Sequence, residues 1–296
     1  MMKGPDFLII GAMKCATSTL HEQLALQPGI FMTELKEPNF FSNDEAYTQG
    51  LEWYLSHFKP AHSQALCGES STHYTKFPTY PHTVERICQH FPDIKLIYVM
   101  RHPLDRLVSQ YIHEWTQKVI SVNINQAVGQ YPELVDYSLY SMQLQPYFNT
   151  FGQERVLPVF FERLLSQPQA ELERVCRFIG YTAAPTWRTN LDAQNVSSER
   201  MRQSPLRDFL VEAPILKEIR QNFVPKEFRT WVRSLWTLKQ KPELDSQNQA
   251  TLQAIFDKDL ASLGAWLGLE LSCQNFKTVV KANPRDWVDL SKQNVA

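Results

Sequence analysis

The sequence contains no apolar run long enough to cross a membrane. Its longest apolar segment, around residues 7–13, has only the length of a single strand. The chain opens Met1-Met2-Lys3-Gly4 and lacks the successive basic, apolar and small-residue regions of a secretory signal peptide. These two absences predict a cytoplasmic protein without an integral membrane segment.

Paired cysteines and a surplus of one charge are also missing. The 5 cysteines are scattered, odd in number and never spaced as C-x-x-C. This pattern indicates neither a zinc site nor a disulfide framework, and it favours a reducing compartment. The 30 Lys and Arg residues nearly balance the 31 Asp and Glu residues, whereas proteins that bind nucleic acid carry a basic surplus. We therefore expect neither a metal site nor a nucleic-acid partner.

Short apolar segments that are each followed by a helical pattern predict an α/β fold. The expected strands are residues 7–10, 95–100 and 155–160, and the helices that follow them are residues 18–27, 104–118 and 162–179. Apolar residues run continuously along these strands instead of alternating with polar ones. That pattern is typical of a parallel sheet covered by helices on both faces.

Three other segments have a distinct composition. Residues 119–149 are polar and rich in tyrosine, and we interpret them as a cap or gate. The apolar residues of segment 252–267 fall on one helical face, which predicts core packing. Residues 216–241 interleave basic and aromatic residues, which fits a solvated amphipathic helix or, as an alternative, a surface for an anionic acceptor or a membrane.

The first strand runs into the loop GAMKCATST, residues 11–19, and then into a helix. This arrangement directs free backbone N–H groups and the positive end of a helix dipole at a phosphate. Compared with the P-loop pattern G-x-x-x-x-G-K-[ST], Ala16 replaces the second glycine and Thr17 replaces the lysine. Ser18 keeps the hydroxyl, and Lys14 supplies a cation from within the loop. We interpret the loop as an anion site.

A second basic position follows the strand at residues 95–100. Arg101 stands at its carboxyl end, where α/β folds bind ligands, and Ser109 follows on the next helix. A forked, permanently charged guanidinium and a hydroxyl suit a second phosphate. Met100 is followed by Arg101 and His102 instead of the carboxylate that would hold Mg²⁺ beside a nucleoside triphosphate. The pattern favours a nucleotide with phosphates at both ends.

Together these segments resemble the sulfotransferase family, whose donor is 3′-phosphoadenosine 5′-phosphosulfate (PAPS). The resemblance rests on GAMKCATSTL, YVMRHPLDRLVSQY and LKEPNFF, and it covers roughly residues 5–180. It is greatest for the carbohydrate and heparan-type branch, and without a targeting signal a bacterial-type cytoplasmic member is expected. It implies a P-loop-like parallel sheet flanked by helices, in one domain over residues 1–296 with a helical part at about 205–270. It also implies metal-independent sulfuryl transfer to a hydroxyl or amine of a glycan or other small acceptor.

The resemblance also implies roles for individual residues. The residues expected to bind the donor are Lys14, Cys15, Ala16, Thr17, Ser18 and Thr19 at its 5′ end, Arg101 and Ser109 at its 3′-phosphate, and Arg200 and Arg202 in a closing segment. Lys14 is also expected to stabilise the leaving group. Glu37 matches the base of this branch, and His113 matches a histidine of the N-sulfotransferase subset and is the alternative base. Lys36 and His73 are expected to line the acceptor side.

The sequence departs from the family pattern in two places. The segment ESSTHYT, residues 69–75, has Ser70 where the family has a lysine that serves acidic sugars. A K-G-R-type closing loop is absent, and NVSSERMR, residues 195–202, takes its place. Because Glu37 precedes Pro38, we expect Glu37 to be extended and to project from a loop.

Two other functions stay open from the sequence. One is a Mg²⁺-dependent P-loop kinase, which the displaced lysine and the missing metal carboxylate disfavour. The other is a catalytically silent nucleotide-binding protein, in which the donor site persists without acceptor chemistry. A requirement for Mg²⁺ distinguishes the kinase, and donor turnover that depends on Glu37 or His113 distinguishes the silent protein.

Overall fold

The computed structural model describes residues 3–189, 242–282 and 286–288, and contains one parallel sheet with helices packed around it. The strands are β1 (Phe7–Gly11), β2 (Ile30–Met32), β3 (Leu66–Ser70), β4 (Lys95–Met100) and β5 (Val156–Phe160). Their order in the sheet is β2-β3-β1-β4-β5, and every adjacent pair is parallel. The α/β fold class is therefore confirmed.

Twelve α-helices are found among the described residues. They are α1 (Thr17–Ala25), α2 (Asp44–Thr48), α3 (Leu51–Ser56), α4 (Thr83–His90), α5 (Pro103–Thr116), α6 (Ile124–Gln130), α7 (Glu133–Asp136), α8 (Tyr140–Phe151), α9 (Phe161–Ser166), α10 (Pro168–Ile179), α11 (Ser246–Leu267) and α12 (Phe276–Ala282). Short 3₁₀ turns cover Thr72–Thr75 and Gln153–Arg155. Over this part of the chain, no helix is both long and apolar enough to cross a bilayer.

The three strands expected from the sequence are present, with ends that differ by at most one residue. The sequence missed β2 and β3. Strand β2 has only 3 residues, and β3 reads LCGES, whose polar end hides it from a search for apolar runs. The single helix expected over residues 162–179 is wrong. It divides at Gln167 (φ −141°, ψ 54°), because Pro168 disfavours a helical conformation in the residue before it.

The tyrosine-rich segment is part of the packed core, and its interpretation as a cap or gate is wrong. Residues 124–151 form α6, α7 and α8, and the side chains of Tyr137, Tyr140 and Tyr147 are buried. The hydroxyl of Tyr147 donates to the Tyr74 carbonyl at 2.6 Å. These rings present apolar faces to the core, while the hydroxyls of Tyr140 and Tyr147 donate to backbone carbonyls and that of Tyr137 bonds Thr79 Oγ1. Because of these hydroxyls the tyrosine-rich segment has a polar composition, although its tyrosine side chains are buried in the fold.

A buried arginine joins this helical segment to α5, the helix that follows β4. The side chain of Arg106 on α5 is fully buried. Its guanidinium donates to Gln110 Oε1 at 2.9 Å, to the Leu134 carbonyl at 2.8 Å and to Ser138 Oγ. Because these acceptors lie on α5 and around α7, Arg106 fixes the α7–α8 connection against the helix that follows β4.

The C-terminal helix α11 packs through the face predicted from its sequence. Leu252, Phe256, Leu260 and Leu263 are buried. Asp259, on the same side of α11, accepts hydrogen bonds from the backbone N–H groups of Ser141 (3.1 Å) and Met142 (3.2 Å) at the start of α8. This carboxylate satisfies N–H groups that a helix start leaves free. The expected helical region before residue 242, with the basic-aromatic segment 216–241, lies outside the described residues.

Candidate active site

The loop after β1 leaves the first turn of α1 open toward the carboxyl edge of the sheet. Lys14 (φ 69°) and Ala16 (φ 68°) adopt left-handed backbone conformations, and α1 begins at Thr17. No side chain caps this helix start. The Ala12 N–H donates to the Val99 carbonyl at 2.8 Å, which fixes the loop against β4. Uncapped N–H groups at a helix N-terminus form an anion site.

Two cations of the site meet at this loop. The Arg101 guanidinium donates through Nη1 to the Lys14 carbonyl at 3.2 Å and lies 4.5 Å from the centroid of the Phe161 ring. Tyr140 fixes the Arg101 backbone, since its hydroxyl donates to the Arg101 carbonyl at 2.5 Å and accepts from the Arg101 N–H at 3.2 Å. Burial, and then the positive charge of Arg101, lower the pKa of Lys14. A bound anion reduces the electrostatic repulsion between two such neighbouring cations.

The polar groups present fit a donor with two phosphate groups. Arg101 Nε is buried and finds no partner among the described residues. Ser109 is half-buried on α5, one turn before His113 on the same helical face. The donor set is therefore an uncapped helix start, an ammonium, a guanidinium and hydroxyls, which is the chemistry that phosphate oxygens require.

Glu37 projects from the loop between β2 and α2, but its expected extended backbone is wrong. Its φ is 57°, and its N–H donates to the Ser70 carbonyl at 2.9 Å, which pins the residue to the end of β3. The carboxylate accepts from Thr72 Oγ1 at 2.9 Å and pairs with Lys36 Nζ at 3.1 Å. Burial alone would raise the pKa of Glu37, but Lys36 and Thr72 outweigh it and hold that pKa below its usual value. The carboxylate is therefore ionised at neutral pH.

Two histidines belong to the same electrostatic environment. Burial, and then the charges of Lys14 and Lys76, lower the pKa of His113 to about 4, while Glu37 acts in the opposite direction. Burial, and then Lys76, lower the pKa of His73 to about 4. The His73 ring stacks on Tyr80 with a centroid distance of 5.0 Å, and its Nδ1 has no partner among the described residues. Both imidazoles are neutral at pH 7, so both can accept a proton.

These residues come together because the strands are parallel. The loop after β1, the 3₁₀ turn after β3 and α5 after β4 all begin at the carboxyl edge of the sheet. The structure thereby brings Lys14, Glu37, Arg101 and His113 to one region. Among the described residues, no group of three or more His, Cys, Asp or Glu side chains has the geometry of a metal site.

Comparison with known proteins agrees with this arrangement. A family model described as "Sulfotransferase domain" matches residues 4–264. The chain belongs to the sulfotransferase family. It is 33% identical over 187 residues to human heparan sulfate glucosamine 3-O-sulfotransferase 6, a match that covers 60% of this chain and 52% of that protein. Over 188 residues it is 29% identical to mouse heparan sulfate glucosamine 3-O-sulfotransferase 5, covering 59% and 53%.

The chain spans about half the length of the curated relatives that it matches. Among solved structures, it is similar to a sulfotransferase from Alicyclobacillus acidocaldarius, with a TM-score of 0.64 and 23% identity over 91% of this chain and 98% of that one. This similarity confirms that the sheet and its helices have the sulfotransferase fold.

In this sulfotransferase-family chain, a buried carboxyl that the sequence analysis did not single out supports the Glu37 loop. Glu69 at the end of β3 is fully buried and accepts from Ser71 Oγ at 3.1 Å, and that hydroxyl accepts from the Asn39 N–H at 3.0 Å. Burial raises the pKa of Glu69 to about 8. The polar residues ESS at a strand end are the signal that could have identified this support.

Ser70 stands at the position where the family pattern has a lysine. It is fully buried, and its Oγ lies 2.6 Å from His21 Nδ1. Cys15 is also fully buried, and burial raises the pKa of its thiol to about 12, so its side chain is not a nucleophile at neutral pH. Arg200 and Arg202 lie outside the described residues.

Proposed function

We propose that the protein transfers a sulfuryl group from PAPS to a hydroxyl, or an amine, of a carbohydrate-like acceptor. The observation that carries this proposal is the uncapped start of α1 beside Lys14 and Arg101, whose guanidinium donates to the Lys14 carbonyl. The sulfotransferase family model and the glycan-modifying names of the relatives support the reaction and the acceptor class.

Lys14 and the start of α1 act on the donor side. PAPS would supply the activated sulfuryl group. The N–H groups of Ala16–Thr19 and the Lys14 ammonium would bind its 5′ end, and Arg101 with Ser109 would bind its 3′-phosphate. Because the Lys14 charge is fixed before the reaction, it would stabilise negative charge on the leaving oxygen without reorganisation. The role of a metal in phosphoryl transfer would here be taken by these side chains.

Glu37 acts on the acceptor side as the base. It is ionised at neutral pH, and Thr72 and Lys36 orient its two oxygens, each of which keeps a further lone pair for the proton of an acceptor hydroxyl. His113 is the alternative base, since its imidazole is neutral at pH 7. Lys36, through its ion pair with Glu37, and His73 are proposed to border the acceptor.

Thermal unfolding with added nucleotides tests the donor site. We expect adenosine 3′,5′-bisphosphate (PAP) to raise the melting temperature equally with and without Mg²⁺. At 100 times its Kd, PAP should raise the free energy of unfolding by about 2.7 kcal/mol. AMP and ATP should stabilise the protein less. The variant Lys14→Met, in the loop, should lose this stabilisation. Its matched control Lys59→Met, at the exposed surface, should retain it. Stabilisation by ATP that requires Mg²⁺ would replace the proposal with the kinase alternative.

A further inference from the structure

Lys76 is a nearly buried lysine that has no hydrogen-bond or ion-pair partner among the residues that the structure describes. It follows the 3₁₀ turn Thr72–Thr75, and its side chain is only 9% exposed. Its ammonium makes no hydrogen bond or ion pair within the described residues, and it lies 5.6 Å from the centroid of the Tyr137 ring. Buried lysines are almost always paired, because an isolated charge is costly to remove from water. An unpaired one therefore calls for a functional explanation.

The backbone on both sides of Lys76 is held in place. Within the turn, Thr72 bonds the Glu37 carboxylate and Thr75 Oγ1 donates to the Ile10 carbonyl at 2.8 Å, just before the phosphate loop. After it, the Phe77 N–H donates to Gln143 Oε1 at 2.8 Å, and Gln143 Nε2 donates to the Phe77 carbonyl at 2.7 Å. Lys76 is therefore anchored to the proposed base on one side and to α8 on the other.

The ammonium lies near the acceptor side of the proposed site. Its charge contributes to the low pKa of both His73 and His113, while the carboxylates of Glu37 and Glu114 counteract the effect of burial on its own pKa. Neither carboxylate comes within ion-pair distance of Lys76 Nζ. Among the described residues, no carboxylate thus pairs with this ammonium, which keeps its hydrogen-bonding capacity for an oxyanion of a ligand.

We propose that Lys76 binds an oxyanion of the acceptor, a carboxylate or a sulfate, and makes the protein selective for acceptors that carry such a group near the reacting hydroxyl. This inference rests on the proposed function, because the acceptor side is defined by Glu37. Lys76 pairs with the anionic group when the acceptor is bound, and the pair replaces the interaction with water that both charges lose. His73, stacked on Tyr80 in the same turn region, forms the neighbouring wall.

Binding of matched monosaccharides tests this assignment. Calorimetric titrations use glucuronate, glucose 6-sulfate and glucose, each with and without saturating PAP, on wild type, Lys76→Met and Lys76→Arg. We expect wild type to bind at least one of the two acids more tightly than glucose, and Lys76→Met to bind that acid about tenfold to a hundredfold more weakly. Lys76→Arg should keep the preference for an anion, and Lys59→Met, at an exposed position, should behave as wild type.

The two acids distinguish a carboxylate from a sulfate as the recognised group. Equal binding of acids and glucose by wild type, or an unchanged acid affinity in Lys76→Met, overturns the inference. If PAP fails to bind, the proposed function fails separately, and the titrations without PAP still test Lys76. We also expect Lys76→Met to melt at the same or a higher temperature than wild type, because it removes an unpaired buried charge. A clear loss of stability would make Lys76 a packing residue and overturn the inference as well.

Discussion

At the residue scale, the site depends on charges whose neighbours set their protonation. Glu37 is ionised because Lys36 and Thr72 stabilise its negative charge, whereas Glu69, deeper in the same region, has a raised pKa because burial dominates. Two carboxyl groups near the end of β3 therefore differ: Glu37, the proposed base, is ionised, and Glu69 supports the loop that carries it.

Replacing Glu37 by glutamine tests its role as the base. Glu37→Gln keeps the size of the side chain and its bond to Thr72 but cannot accept a proton, so we expect turnover to fall about 100-fold or more. The melting-temperature increase with PAP should stay unchanged, because Glu37 is not part of the donor site. Near-normal turnover of Glu37→Gln would remove it from this role, and His113→Asn would then be expected to show the loss.

The pH dependence of turnover separates Glu37 from His113. Lys36 lowers the pKa of Glu37 but has no resolved effect on that of His113. Because Glu37 is active only when ionised, Lys36→Met should raise its pKa and move the acid limb of the kcat/KM profile to higher pH. Profiles of wild type, Lys36→Met and the surface control Lys59→Met check this. An acid limb that does not move in Lys36→Met would contradict a Glu37 base.

At the element scale, the phosphate loop depends on a glycine at the end of β1. Gly11 has a φ of +149°, and a Cβ added to it would lie 1.9 Å from Thr75 Oγ1. That hydroxyl donates to the Ile10 carbonyl. The approach of the 3₁₀ turn to β1 therefore leaves no space for a side chain. This contact also fixes the distance between the donor loop and the turn that carries Thr72 and His73.

Substituting alanine for each of two glycines in turn distinguishes the cost of backbone strain from the cost of this steric clash. Gly50 also has a positive φ of +84°, but an added Cβ would meet nothing within 4 Å. Gly50→Ala should therefore cost only the strain, about 1–3 kcal/mol. Gly11→Ala should cost more in chemical denaturation and should also reduce stabilisation by PAP. Combining Gly11→Ala with Thr75→Ala should recover part of the loss. Equal costs for the two single variants would argue against the close approach.

At the scale of the whole molecule, α11 closes the core on the α8 side. Its buried residues belong to the same apolar core as the strands, and Asp259 links it to the start of α8. Asp259, more than 240 positions from β1, thus stabilises the helix α8. That helix carries Gln143, which holds the segment of Lys76, and Tyr140, which holds the segment of Arg101. We propose from this continuity that the chain unfolds as a single domain.

Truncation of a buried leucine in α11 tests that proposal. Leu263 is fully buried, so Leu263→Ala should lower the free energy of unfolding by about 2–5 kcal/mol. Fluorescence and far-UV circular dichroism should report one coincident transition, shifted as a whole to lower denaturant. Leu165→Ala, at a position that is 68% exposed, serves as the control and should leave the midpoint nearly unchanged. Two separate transitions would indicate two domains.

The sequence by itself determined the elements whose signals are local. Neighbouring residues define the continuous apolar run of β4, the helix that follows Pro103 and the loop containing Lys14, so these could be predicted. Strand β3 escaped this reasoning because its polar end is stabilised by groups far along the chain, such as His21 and Asn39.

Only the tertiary structure decided which polar residues share the site. Glu37 does not have the extended conformation expected from the sequence, because its N–H donates to the Ser70 carbonyl, 33 positions away in sequence. Tyr140 and Tyr147 of α8 can be buried because the backbone carbonyls of Arg101 and Tyr74 accept hydrogen bonds from their hydroxyls. The turn before Lys76 lies against the end of β1 because a parallel sheet gathers the ends of β1, β3 and β4 at one edge. Such long-range pairings depend on packing and sheet order, which no local pattern of residues encodes.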